Sequence, residues 1–202
     1  MPPVVFSLLI ANALVFALQQ MGVAHGLLMM MLWPLEGPFA PWQLVTYGFM
    51  HGSIFHLFVN MFALWMFGVA IENALGSRAF TLYYFVCLIG AGVIQLIVSS
   101  MLLGPGSMPY PTIGASGAVF GILLAFGMMF PNQTVILLFP PIPMKAKWFV
   151  IIFGAIELWS GLSGYSPGVA HFAHLGGMVF GFVLLQYWRG KLPVKPRRRL
   201  NL

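Results

Sequence analysis

The chain of 202 residues has no aspartate, three glutamates and one cysteine, and only 6% of it is charged. Each shortage excludes something. Without aspartate there can be no Ser-His-Asp triad. The lone Cys87 excludes an internal disulfide and any cysteine-based metal cluster. It lies between Val86 and Leu88 in an apolar run and reads as a packing residue. So few charges leave no material for a separate soluble domain, where about 25% is usual. The net charge of +6 does not describe a nucleic-acid face, because five of the nine basic residues crowd into the last twelve positions. That tail reads as an anchor at an anionic leaflet.

Apolar residues are plentiful instead. They make up 60% of the chain, against about 45–50% in soluble domains, and mean hydropathy is +0.95. One integral membrane domain is expected over 1–190, with a basic cytoplasmic tail over 191–202. The N-terminal stretch has no basic residues before its apolar core, so it reads as a retained span rather than a cleaved signal. A spanning helix needs about 20 apolar residues. Six runs fit: 3–21, 53–71, 79–103, 114–131, 147–163 and 169–188. The expected fold is therefore an all-α polytopic membrane protein with six transmembrane helices.

Breakers separate the runs: Gly104-Pro105-Gly106, Pro109 to Pro111, Pro140, Pro141 and Pro143, and Ser166-Pro167-Gly168. Arg78, Lys145, Lys147 and the basic residues from Arg189 onward all fall on one side of this arrangement. The positive-inside rule then makes both termini cytoplasmic. The segment from Gly22 to Gly52 lies on the opposite side. Its Pro34, Pro38 and Pro41, with Trp33 and Trp42, read as an interfacial loop embedded at headgroup depth.

With this topology, spans two, four and six enter from the outer face, and their unusual residues share one depth. Span two brings His51, His56 and Asn60. Span four starts at Ser116. Span six brings His171 and His174. At 1.5 Å per residue all lie within about 10 Å of the outer interface. Polar groups held in a bilayer are costly unless they do something. Ser116 is the candidate nucleophile and His174 the candidate general base.

A third member is restricted to the three glutamates. Glu36 sits in the outer loop and Glu72 at the inner end of span two. That leaves Glu157 in mid-span five, where a structural ion or hydrogen-bond role is expected. A Ser-His dyad is the simplest reading. His56 and Asn60, at i and i+4, share a helix face and suit an oxyanion hole, together with the Ser116 N–H at a helix start. A polar pair that only pins two spans is the competing reading. Gly177 and Gly181 share a face with His174, and Gly117 and Gly121 form a small-residue pair on span four. Both let backbones approach. Ala118 and the lack of a preceding strand distinguish Gly114-Ala115-Ser116-Gly117 from the Gly-x-Ser-x-Gly elbow of soluble hydrolases.

These residues resemble a rhomboid intramembrane serine protease of the minimal six-helix bacterial type. The resemblance rests on Gly114 to Gly117 heading span four and on Ala173-His174 with Gly177 and Gly181 in span six. It rests also on His56 to Asn60 in span two, the upstream His51, and Gly68-x-x-x-Glu72-x-x-Leu75-Gly76. It covers essentially the whole chain. It implies hydrolysis of peptide bonds in or near the transmembrane helices of other membrane proteins, in a bacterial inner membrane, with the site toward the outer face. Ser116 and His174 would form the dyad. His56, Asn60 and the Ser116 N–H would hold the oxyanion, and span five would gate access. The lipid bilayer is the other partner, and neither cofactor nor metal is implied. Two positions depart from the pattern. Gln43 follows Trp42 where many members have arginine, which removes a loop-anchoring charge. Phe120 replaces a tyrosine and keeps a ring to pack beneath His174. His171 is an extra imidazole, read as a polar lining residue with general base as a minor alternative.

Three other readings compete with this one. A catalytically weak or inactive relative that binds transmembrane clients would be expected to lack the serine or histidine. A transporter with a histidine relay would show repeated broken helices. A metal site from His51, His56, His171 and His174 lacks the His-Glu-x-x-His pattern, and no acidic ligand is expected near these positions.

Overall fold

The computed structural model describes residues 1–21, 24–102, 110–137, 140–164, 168–196 and 199. The expected breakers Gly104 to Pro109 and Ser166-Pro167, and Arg197 and Arg198 of the tail, lie outside the described residues.

All six expected crossings are helical. They are α1 (Pro3–Gln20), the run α4 (Ile54–Ala63) through α5 (Val69–Leu75), α6 (Ser77–Leu102), α7 (Ser116–Met129), α8 (Ala146–Ser163) and α9 (His171–Trp188). The first loop adds the short α2 (Ala24–Leu28) and α3 (Gln43–Thr46). Four of the crossings are long and apolar enough to span a bilayer: α1, α4 through α5, α6 and α8. Their outward faces are apolar, as with Phe6, Ile10, Leu14 and Leu18 on α1 and Ile152, Ile156 and Trp159 on α8. Such faces belong against lipid. Of the other two, α7 is an interior helix, while α9 exposes Val179, Phe182 and Val183. α7 has only 14 residues, and α9 gives positions to two histidines and three glycines.

α6, α7 and α9 pack most extensively on one another and form the centre. Small residues make this possible. A Cβ at Gly177 would overlap the Gly117 carbonyl oxygen, and one at Gly121 would stand 3.0 Å from the Gly177 carbonyl oxygen. The expected close meeting of α7 and α9 is therefore real, and a side chain at either glycine would push them apart. Gly181 makes its close approach elsewhere, to Tyr83 and Cys87 of α6. The Tyr83 hydroxyl donates to the Gly121 carbonyl at 2.8 Å, and the Tyr47 hydroxyl to the Leu88 carbonyl at 2.7 Å. These two buried hydroxyls thus each tie two elements; leaving one unpaired would cost about 1–3 kcal/mol. Cys87 is buried in this centre, as its apolar setting predicts.

Span two runs beyond the expected 71 to Leu75, through one π-helical turn at Leu64–Gly68. Gly76 ends it at φ +80°. The buried Glu72 explains the extension. Its carboxylate accepts from the backbone N–H of Val4 at 3.0 Å and of Val5 at 2.7 Å, and from the Ser77 hydroxyl at 2.8 Å. The first N–H groups of a helix have no intrahelical partner, so Glu72 caps α1 from another span. The chain also departs from an all-helical pattern in a short hairpin. β1 (Thr134–Ile136) and β2 (Pro143–Lys145) pair antiparallel, with Val135 opposite Met144. Prolines at 140, 141 and 143 deny this stretch a helix, and Val135 is buried.

At Gln43 the first loop is anchored by a neutral side chain. Gln43 is fully buried. Its amide oxygen accepts from the Trp33 backbone N–H at 3.1 Å, and its amide nitrogen donates to the carbonyls of Met29 at 3.2 Å and Pro38 at 3.0 Å. Three bonds from a neutral amide replace what an arginine would supply, so the departure at this position leaves the loop tied. A bridge between Leu32 and Thr112 joins the loop to the segment leading into α7.

Candidate active site

Ser116 is the first residue of α7, set there by a sharp entry. Gly114 has φ +119°, a conformation that disfavours any side chain, and its N–H donates to the Tyr47 carbonyl at 2.9 Å. α9 begins at His171 and carries His174 one turn later. Because α7 and α9 touch through glycine, Ser116 Oγ and His174 Nε2 come within 2.7 Å. Phe120 stacks on the His174 ring, with centroids 4.4 Å apart and planes 7° from parallel. The loss of a tyrosine hydroxyl has not cost the site this packing.

The other nitrogen of His174 settles the tautomer. Nδ1 lies 2.8 Å from Glu157 Oε2. An ionised carboxylate only accepts, so beside it a neutral His174 carries its proton on Nδ1 and offers the Nε2 lone pair to the Ser116 hydroxyl. Glu157 Oε2 also takes His171 Nδ1, at 2.7 Å. Two imidazoles thus converge on one carboxylate oxygen. This corrects two expectations. His171 does not simply line the site; it shares the acid that holds His174. And an acidic residue does lie beside the histidines, since ligand atoms of Glu157, His171 and His174 fall within 4.8 Å of one another. In this geometry both Nδ1 atoms point at the carboxylate and His174 Nε2 at the serine, while His171 Nε2 is buried without a hydrogen-bond partner.

The position of Glu157 was readable. It stands six residues before the end of α8 at Ser163, about 9 Å by helical rise. That falls within the same band of about 10 Å from the helix ends as Ser116 and His174. An acid in a membrane span is a functional candidate by default, and counting from the far end of span five brings it to the site.

His56 and Asn60 face the same cavity. His56 Nδ1 accepts from the Gly52 N–H at 3.4 Å, which leaves the proton on Nε2. A Cβ built at Gly114 would lie 3.0 Å from His56 Nε2 and 3.6 Å from Ser116 Oγ. The notch that glycine leaves is therefore flanked by an imidazole N–H and the serine hydroxyl. The Asn60 amide nitrogen donates to the His56 carbonyl at 2.9 Å, so one of its two hydrogens is already used on its own helix. His51 stands behind His56 and outside the reacting groups. It is buried, edge-on to the His56 ring at 5.0 Å, and its backbone is held on both sides by Gln19 of α1 at 3.1 Å. Burial first, and the neighbouring His56 second, lower its pKa to about 4. It is a neutral wedge at ordinary pH.

The cavity measures about 770 Å³. Ser116, His174, His56 and Asn60 line one part of it, and Phe55, Phe58, Met66 and Phe153 line the part between α4 and α8. Gly117, Gly177 and Gly181 lie in the helix contacts and not at the cavity wall.

Comparison with known proteins agrees with these features. The family model described as the Rhomboid domain matches residues 38–190. The chain is 30% identical over 196 residues to Rhomboid protein 1, mitochondrial, of Saccharomyces cerevisiae, covering 96% of this chain and 56% of the relative. It is 30% identical over 207 residues to the Presenilin-associated rhomboid-like protein, mitochondrial, of Rattus norvegicus, covering 94% and 51%. It is 32% identical over 146 residues to RHOMBOID-like protein 4 of Arabidopsis thaliana, covering 71% and 33%. The chain therefore spans about half the length of the yeast and rat relatives. Their names correct the expected compartment. Mitochondrial relatives overturn a bacterial inner membrane, and the labels cytoplasmic and outer, which depended on it, go with it. A rhomboid-domain match over three-quarters of the sequence, on a six-helix membrane fold, shows that the chain belongs to the rhomboid family.

Proposed function

We propose that this chain is a serine-type intramembrane endopeptidase that cuts transmembrane-helix proteins. The observation that carries the reading is the 2.7 Å hydrogen bond from Ser116 Oγ to His174 Nε2 at the wall of a cavity between helices. A mitochondrial membrane is the setting that the yeast and rat relatives favour. The basic tail over 191–202 would lie along the leaflet on the face remote from Ser116.

The chemistry follows the geometry. His174 Nε2 takes the Ser116 proton as Oγ bonds to the scissile carbonyl carbon, and the carbonyl π pair moves to oxygen. His56 Nε2–H, the remaining Asn60 amide hydrogen and the Ser116 N–H are the donors for that oxyanion. His174 returns its proton to the amide nitrogen as the C–N bond breaks and the amine leaves. Water then attacks the acyl ester, giving a proton to Nε2. Ser116 recovers that proton as the acid product departs. No step requires a metal.

The test is cleavage of a single-span reporter by purified protein in liposomes, with Ser116→Ala and a chelator arm in parallel. Cleavage lost only in the serine variant supports the reading. Cleavage lost only with chelator would transfer the chemistry to a metal held by Glu157, His171 and His174. A wild-type protein that neither cuts nor takes a serine-directed label would be a client-binding relative instead.

A further inference from the structure

Glu157 is the feature that the Ser-His reading leaves unused. It sits on α8, a helix with an otherwise apolar membrane face, and it is nine-tenths buried. Burying a carboxylate is expensive unless donors compensate. Here two imidazole N–H groups compensate, and both address Oε2. The His174 bond runs from the nitrogen opposite the one that faces Ser116. Ser116, His174 and Glu157 therefore form one unbroken relay of 2.7 and 2.8 Å contacts drawn from α7, α9 and α8.

We propose, resting on the serine-protease reading, that Glu157 is a positioning residue that turns the dyad into a Ser116–His174–Glu157 triad, with His171 steadying the glutamate. Glu157 makes no contact with the reacting atoms. It fixes the proton on His174 Nδ1, so that Nε2 is always the basic nitrogen. It also places a negative charge beside the imidazolium that forms when Nε2 takes the serine proton. The proton on Nδ1 stays there, and Glu157 gains none. His171 gives Oε2 a second donor from the same helix face as His174, three residues away. That second bond keeps the carboxylate from rotating off His174.

Chain placement favours this role over a merely structural one. A glutamate that only tied α8 to α9 could use any donor on α9. This one takes the Nδ1 of the same ring that addresses the nucleophile. The sequence has no aspartate to do this work, and among the described residues neither other glutamate touches a histidine.

The experiment measures kcat and KM on a single-span reporter, the rate of Ser116 labelling by a fluorophosphonate, and thermal unfolding, for Glu157→Gln, Glu157→Asp and Ser116→Ala. The glutamine keeps the size and an acceptor but removes the charge. It is expected to lower kcat and the labelling rate by about 10²–10⁴-fold, the range set by loss of a triad carboxylate. KM should stay within about threefold, because the cavity wall is untouched. Glu157→Asp retains the charge and is expected to label at least about tenfold faster than Glu157→Gln at equal folded fraction. Glutamine within twofold of wild type, beside a dead Ser116→Ala, would overturn the triad and leave the dyad standing. Equal rates for Asp and Gln would overturn it too, even if both variants lose stability. An active Ser116→Ala would instead sink the serine reading itself.

Discussion

Two carboxylates are buried in this membrane protein, and they are held in opposite ways. Glu72 takes three donors from backbone and hydroxyl, two of them at the start of α1. Glu157 takes two imidazoles, one of which also holds Ser116. The first set consists of groups that do not change charge during turnover, and it joins a helix terminus to another span. The second consists of two imidazoles, of which His174 is, on the proposed reading, a base whose charge changes as a proton moves. The residue type and the burial are the same, and the partners decide what each acid can do. Glu72 should matter to whether the protein holds together, and Glu157 to how fast it works.

That contrast can be broken experimentally. The largest expected effect lies with His174, which serves both the serine and Glu157. His174→Ala should abolish reporter cleavage and serine labelling, and normal labelling would remove it from the site. Next, Asn60→Ala should lower kcat by no more than about 10²–10³-fold, the usual cost of one oxyanion donor; an unchanged kcat would mean that its amide serves only the helix carbonyl that it already bonds. Glu72→Ala should leave activity per folded molecule nearly intact. It should cost stability by about 1–3 kcal/mol for each donor left unpaired, measured by chemical or thermal unfolding. A loss of kcat without a loss of stability would erase the distinction between the two acids. Gln43→Ala strands three polar groups in the first loop and should loosen it by a similar amount per group, seen as faster hydrogen exchange at Trp33. The smallest effect is Phe120→Tyr, which keeps the stacked ring and should change kcat by less than about threefold.

Much of this was legible in the chain. Hydropathy alone located six helices, because a bilayer admits little else. The expected common depth of Ser116, His174, His56 and Asn60 agrees with their lining one cavity. The spacing of Gly117, Gly121 and Gly177 foretold the α7–α9 contact, while Gly181 turned out to face α6. What stayed hidden depended on rotation about helix axes and on contacts between distant segments. Sequence gives the depth of Glu157 but not which way α8 turns it, so its bonds to His171 and His174 needed coordinates. The same is true of Gln43, whose three partners are spread over the loop, and of Glu72, whose partners lie nearly seventy residues away at Val4 and Val5. The hairpin over Thr134–Ile136 and Pro143–Lys145 is too short to leave a periodic signature. The bacterial compartment rested on the resemblance to minimal six-helix bacterial members, which the mitochondrial relatives overturn; charge asymmetry reports sidedness and says nothing of which membrane.

The central claim is that Ser116 is a nucleophile activated inside the membrane domain, and covalent labelling tests it most directly. Purified protein in liposomes would be treated with a fluorophosphonate, and the modified residue identified by mass spectrometry, alongside cleavage of a single-span reporter. The account predicts modification at Ser116 that depends on His174, with cleavage lost in step with labelling. Reporter cleavage that persists in Ser116→Ala, in preparations free of other proteases, would contradict it.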